Sequence, residues 1–414
     1  MASLSGGRVS RRGRWVPVKD KCPPPRGDAL PPLAPDAPRL LRPFDARRDS
    51  LDEIQKYAEG RRVLLNGVAA EQHCGGQNAT HKIDSRRSDG GALPPATCAD
   101  DAATLSSKRV ALLIGVHSAP GKGGRVRRDA IRSSWMKWPS VGRSVVVCFV
   151  VGTKHMAPDA LASLQREAAT TSDLVLLHDV ADTCVLSLPK AYGWWRHSAR
   201  LLRAPPGGGA PTTITHVAKV DDDSFVHVPN LERHLRALAC LPRMLLGTIA
   251  FSGYSPSNYG KCAFSWSPKH SPYRKYLCAE RGFHPPVPFA TGPLQVLTSP
   301  LVDELARFDA VATFCARAEA TLHLGTWDKS EDTALGWWLH HLPASEPITF
   351  VGADKRWAHN LGCYKSKNVY KPPSNASMLV HFLKKPLAFQ YMWETLRERR
   401  PHDAARCYEM AGVD

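Results

Sequence analysis

Short apolar runs alternate with stretches of helical spacing along residues 109–382, and this pattern sets the elements to expect. Val110 to Val116 and Val145 to Val151 are continuously apolar and predict buried strands, the second over Ser144 to Val151. Between them, Arg125 to Trp138 predicts a helix that stops before Pro139, since the residue preceding proline disfavours helical backbone. A helix over Asp159 to Ala169 and a short strand over Leu174 to Leu177 follow. Gly207-Gly208-Gly209 then interrupts the chain before a strand from Thr215 to Val220 that runs directly into Asp221-Asp222-Asp223. Beyond it the pattern predicts an aromatic and Ser/Pro-rich loop region over Gly247 to Pro272. Helices are expected over Pro300 to Phe308 and Glu331 to His341, and Ser377 to Phe382 reads as a strand-like run. Strands that alternate with helices in this way define an α/β sheet. No internal repeat is present.

Residues 1–104 break the pattern. They are rich in Pro, Gly, Arg and Asp, carry one helical candidate at Asp49 to Tyr57, and read as a partly disordered tail or stem. The folded domain is therefore expected over residues 105–414, with a boundary near Ser106. The chain of 414 residues is 43% hydrophobic and 22% charged, a globular composition that excludes wholesale disorder and a multi-span membrane protein. Its net charge of +17 favours anionic partners. No nucleic-acid module or aromatic-basic repeat accompanies that charge, so nucleic acid is not an expected partner. The 11 cysteines include no C-x-x-C pair, which argues against structural zinc, and their odd number leaves at least one thiol outside any internal pairing. As written, the chain is expected to carry neither a signal peptide nor a membrane anchor, because its apolar runs fall well short of a spanning helix.

Three segments carry candidate chemistry. In Lys219-Val220-Asp221-Asp222-Asp223-Ser224-Phe225-Val226, an extended backbone places Asp221 and Asp223 on one side, where hard oxygen ligands suit Mg²⁺ or Mn²⁺. A solvated acidic turn is the plainer alternative, and the apolar flanks weigh against it. In the second segment, Arg125, Arg128 and Arg132 share a helical face suited to a diphosphate, or otherwise an ordinary basic face. The third, Ser330-Glu331-Asp332-Thr333, opens a helix with acidic residues. These serve the helix dipole, and one placed at a metal-nucleotide cleft also suits proton abstraction from a hydroxyl. His381 is a candidate imidazole ligand to the same ion. The glycines at Gly115, Gly121 and Gly123 mimic a phosphate loop, but the spacing is one residue too long and Gly123 replaces the magnesium-binding Ser/Thr.

In this order, the segments resemble the β-1,3-galactosyltransferase family, a group of nucleotide-sugar hexosyltransferases (glycosyltransferase family 31) that also contains β-1,3-N-acetylglucosaminyltransferases. Its R-x-x-I-R-x-[ST]-W block is similar to Arg128 to Trp135, its D-D-D-x-F-V block to Asp221 to Val226, and its E-D-V-x-x-G block to Glu331 to Gly336. A weaker echo of Y-P-P-Y-x-x-G-x-G-Y lies at His284 to Pro293, where both outer tyrosines and one glycine are replaced.

The resemblance implies a GT-A fold, a central mixed sheet flanked by helices. It further implies Mn²⁺ and a UDP-sugar donor, with UDP-galactose first and a glycan or glycoprotein acceptor. Asp223 would be the principal metal ligand, joined by Asp221 and His381. Asp221 and Asp222 would contact metal, ribose or donor sugar, Arg128 and Arg132 would hold the UDP, and Asp332 would be the general base of an inverting transfer. An N-acetylglucosamine donor, or a catalytically silent UDP-sugar-binding relative, are the alternatives. Location in the Golgi apparatus, with association to its membrane, follows from the resemblance alone. Trp194, Trp195, Trp266, Trp327, Trp337 and Trp338 are candidates for stacking on sugar rings, and Asn78-Ala79-Thr80 and Asn375-Ala376-Ser377 are glycosylation triplets.

Overall fold

The computed structural model describes residues 62–66, 94–182, 187–203, 212–252, 287–320, 331–342, 348–353, 357–360 and 373–411. The helical candidate at Asp49 to Tyr57, the Gly207 to Gly209 interruption, Trp266, Trp327 and Asn78 lie outside these residues. The first described segment is a strand, β1 (Arg62–Asn66), followed by a short helix α1 (Ala102–Ser107). Next come β2 (Leu112–His117), α2 (Lys122–Arg132), β3 (Val145–Gly152), α3 (Pro158–Thr171), β4 (Leu174–Leu177), α4 (Leu188–Leu202) and β5 (His216–Asp221). The second half holds β6 (Ser224–Val226), α5 (Val228–Ala237), β7 (Met244–Ser252), β8 (Val287–Thr298), α6 (Ser299–Arg307), α7 (Asp309–Ala320) and α8 (Glu331–His341). The chain closes with β9 (Ile348–Gly352), β10 (Ala358–Asn360), β11 (Leu379–His381), α9 (Pro386–Arg397) and α10 (Ala404–Ala411).

Eight strands form one sheet in the order β1-β9-β7-β8-β5-β2-β3-β4, and a smaller sheet holds β10-β11-β6. In the large sheet only β8 runs against its neighbours, pairing antiparallel with both β5 and β7, whereas the other pairs are parallel. The expected central mixed sheet flanked by helices is therefore the observed architecture. Both faces are covered. Leu113, Trp194, Val217, Leu297 and Trp337 belong to one apolar cluster, and Ile114, Val220, Val296 and Phe389 to the other. Every residue of β3 is buried, which accounts for its uninterrupted apolar sequence.

Several sequence expectations are corrected. Residues before 105 are not all stem: β1 pairs in parallel with β9, Ala96 is a core residue, and Cys98 is disulfide-bonded to Cys148 in β3. The helix expected to reach Trp138 ends at Arg132, because Ser134 donates its hydroxyl to the carbonyl of Ala130 and turns the chain into a short 3-10 segment, Trp135–Lys137. The loop region expected from Gly247 begins as the second half of β7, with a register shift between Gly247 and Ile249. Gly115, part of the phosphate-loop mimic, serves packing instead. A Cβ there would lie 2.3 Å from the Trp194 ring. Trp194, Trp195, Trp337 and Trp338 are buried core residues, so sugar stacking is not their role.

The arginines of α2 form a lock between that helix and α3. Arg128, 1% exposed, donates from Nε and Nη2 to the two carboxylate oxygens of Glu167 at 2.8 and 2.6 Å, and from Nη1 to Ser118 and the carbonyl of Ala119. Arg132 grips Asp173 with two donors at 2.8 Å and reaches Glu167 at 2.7 Å. Burial opposes the charge of Glu167, yet these two guanidiniums hold its carboxyl down to about 2 from an ordinary 4.5. The unfolded chain therefore binds the proton first, and the stabilisation is complete above about pH 4.5 and lost as pH falls toward 2. Melting temperature measured across that window should fall steeply in the wild type and less steeply in Glu167→Gln.

Candidate active site

Strand β5 alternates its side chains across the sheet. Val217, Lys219 and Asp221 face the cluster containing Trp194, and Ala218 and Val220 face the cluster containing Phe389. The turn after β5 continues this division. Asp222 goes to the α2 side, where Arg127 lies 2.8 Å from it, and Asp223 returns toward Asp221. The small sheet supplies the third group. In β6 and β11, Ser224 pairs with His381, the Leu383 amide donates to the Asp223 carbonyl, and His381 Nε2 stands 3.1 Å from Asp223 Oδ1 and 3.9 Å from Asp221 Oδ2. The ligand atoms of Asp221, Asp223 and His381 all fall within 4.8 Å of one another.

Two carboxylates and an imidazole converging at this spacing fit a divalent cation of the Mn²⁺ type. Burial opposes the charge of Asp223, but His381 and Lys384 beside it hold its carboxyl below the ordinary range. Lys384 forms an ion pair with the same carboxylate. Burial raises Asp222, and Arg127 only partly offsets this. One Asp222 oxygen is buried without a partner.

The acidic pair of α8 arrives from the other direction. A Cβ at Gly336 would lie 2.4 Å from the carbonyl oxygen of Pro288 and 2.7 Å from the Phe289 Cβ, so only glycine lets the helix lie this close to β8. One turn earlier on the helix, Asp332 reaches Gly292 of β8. A Cβ on Gly292 would stand 2.9 Å from Asp332 Oδ1, 3.1 Å from Asp221 Oδ2 and 3.1 Å from Lys219 Nζ. Gly292 is thus the point on which the acidic strand end, the buried lysine and the helix carboxylate converge. Burial and then the Glu331 charge push the Asp332 carboxyl well above the ordinary range, against Lys219.

Asp221, Asp223, His381 and Asp332 are therefore brought together as their segments suggested. Arg128 and Arg132 are not. Their donors are spent on Glu167, Asp173 and neighbouring groups, so the face expected to receive a diphosphate is filled by the chain's own carboxylates. The arginine that does reach the acidic turn is Arg127. The link between the basic and acidic segments is structural as well: the Trp135 indole donates to the carbonyl of Ser224 at 3.1 Å. Sequence reasoning missed Arg127, Gly292 and Lys384, and assigned no role to Lys219. For Lys219 a signal was present, since period-two alternation sets it on the Asp221 face.

With this geometry in hand, the chain shows a distant similarity to sugar-transferring enzymes. It is 22% identical over 291 residues to hydroxyproline O-galactosyltransferase GALT2 of Arabidopsis thaliana, an alignment that takes in 70% of this chain and 35% of that protein. The chain thus spans about a third of the curated relative it matches. Among solved structures it is similar to mouse xyloside xylosyltransferase 1 in its apo form, with 15% identity, a TM-score of 0.31, and coverage of 66% of this chain and 97% of that one. It is also similar to an active-site mutant of LgtC, with 10% identity, a TM-score of 0.34, and coverage of 72% and 95%. No family model matches the chain.

Proposed function

We propose that this protein is an inverting GT-A glycosyltransferase that moves galactose from UDP-galactose to a sugar hydroxyl in β-1,3 linkage, within protein glycosylation. The observation that carries the reading is the convergence on Gly292, where Asp332 and the metal-type carboxylate Asp221 approach a single point from α8 and β5. The order of the three sequence segments and the similarity to a galactosyltransferase support the class of reaction and the choice of galactose.

In this reading Asp332 accepts the proton of an acceptor hydroxyl. The freed oxygen attacks the anomeric carbon, the bond from that carbon to the diphosphate oxygen breaks with its electron pair, and configuration inverts as UDP leaves. Burial makes Asp332 a stronger base than an exposed aspartate, which suits it to hold the proton it receives. Asp221, Asp223 and His381 would hold the divalent ion, which when bound neutralises charge on the departing diphosphate. Arg127, held by Asp222, and Lys384, on Asp223, are cations at the rim of the same carboxylates.

The protein is proposed to act in the Golgi lumen, in association with its membrane. The Cys98–Cys148 disulfide supports an oxidising compartment, and the exposed Asn375 at the head of its glycosylation triplet is compatible with it. No helix among the described residues is long and apolar enough to cross a membrane.

Calorimetric titration of the full chain with UDP-galactose, UDP-N-acetylglucosamine and UDP, with and without Mn²⁺, tests the reading. Mn²⁺-dependent binding that favours UDP-galactose is expected, with a loss of about 10-fold or more in Asp223→Ala. A folded wild-type chain that binds none of these ligands would defeat it.

A further inference from the structure

Lys219 is 0% exposed, and a buried lysine needs a reason. Its ammonium donates to Asp221 Oδ1 at 2.6 Å, to the Gly292 carbonyl at 3.0 Å and to Glu331 Oε1 at 3.2 Å. These partners lie on β5, β8 and the start of α8. The other oxygen of Glu331 is held by the Ser187 hydroxyl, so Glu331 has both oxygens engaged and is not the free carboxylate of the pair. Asp332 is left beside Gly292, with Gln295 Nε2 3.4 Å away. From these contacts we infer that Lys219 is a positioning residue, which ties the helix carrying Asp332 to the strand carrying Asp221 through Glu331 and so sets the base at its distance from the reacting centre.

Asp221, Glu331 and Asp332 are carboxylates gathered around one point, and like charges so placed push the helix start away from the strand end. The Lys219 ammonium lies between the strand end and the helix start, bonded to Asp221 on one side and Glu331 on the other. The three donors of an ammonium match three acceptors on three elements, and one buried charge thereby fixes three backbones. Serine at 187 and glutamate at 331 then have a shared purpose: they hold the helix start in the orientation that presents Asp332.

The inference rests on the transferase reading, and its test separates the two. UDP release from UDP-galactose, with water as acceptor and Mn²⁺ present, is measured for the full-length wild type, Lys219→Met, Lys219→Arg, Glu331→Gln and Lys219→Met/Glu331→Gln. UDP binding is followed by calorimetry alongside. Misplacing a base by about 1 Å costs on the order of 100-fold, so kcat should fall by about that factor in Lys219→Met. The KM for UDP-galactose and the heat of UDP binding should stay within about threefold. Lys219→Arg, which keeps the charge, should recover part of the loss. The double variant should lose much less than the product of the two single losses, because both substitutions cut one connection.

No UDP release by a folded wild type would remove the transferase reading and this inference with it. Release that persists undiminished in Lys219→Met and Glu331→Gln, or losses that multiply as independent sites, would overturn the inference alone. If Lys219→Met does not fold, Glu331→Gln carries the same decision, since it weakens the bridge while leaving a group of the same size in place.

Discussion

Asp332→Asn is expected to reduce turnover by about 10²- to 10⁴-fold, the range a general base contributes, while Mn²⁺-dependent UDP binding persists. The reason lies in the division of labour at the site. The metal-type donors Asp221, Asp223 and His381 come from β5, its following turn and β11, whereas Asp332 comes from α8. An amide of the same shape keeps the contact with Gly292 and removes the capacity to take a proton. Single-turnover rates with UDP-galactose, set beside calorimetric UDP affinity, check the result. Undiminished turnover would move the base elsewhere, with Glu331 excluded from immediate replacement because Lys219 and Ser187 already occupy its oxygens.

Arg128→Ala has the largest expected effect on stability. Removing one partner of a buried ion pair costs about 3–5 kcal/mol when the remaining charge is left without compensation. Here Glu167 would keep Arg132 at 2.7 Å and Arg125 at 3.3 Å, which places the loss at the lower end of that range. The melting temperature should fall by roughly 10 °C for a domain of this size. A diphosphate clamp makes the opposite prediction, namely lost UDP affinity with little change in melting. Thermal melts and UDP titrations on the same variant therefore decide between a lock and a ligand.

The acidic strand end was legible because it depends on local rules. An apolar run that breaks into three carboxylates reads as a strand end, and alternation correctly set Asp221 and Asp223 together and Asp222 apart. The start of α8 at Glu331 was equally local. What escaped was whatever the third dimension decides. An i, i+3, i+7 arginine face looks the same whether it meets solvent, phosphate or the carboxylates of α3, and nothing near Arg128 announces Glu167 as its partner. Helices α4 and α5 and strand β8 were not anticipated. Strand β8 carries Pro288 and Pro293, which disfavour a central strand, and their placement follows from tertiary pairing with β5 and β7. The role of Gly292 was visible only once α8 lay across it.

The alternation of β5 also constrains how this protein can vary. Apolar side chains along the strand can exchange for one another at modest cost, since volume-conserving swaps in a core are well tolerated. Adding or deleting a single residue between Lys219 and Asp221 is a different kind of change. It would leave the lysine and the Asp221 carboxylate on opposite faces of the strand and exchange the surroundings of Asp221 and Asp222. What inheritance must preserve in this strand is parity, the odd or even count of residues between the lysine and each carboxylate, more than the identity of the residues that fill it.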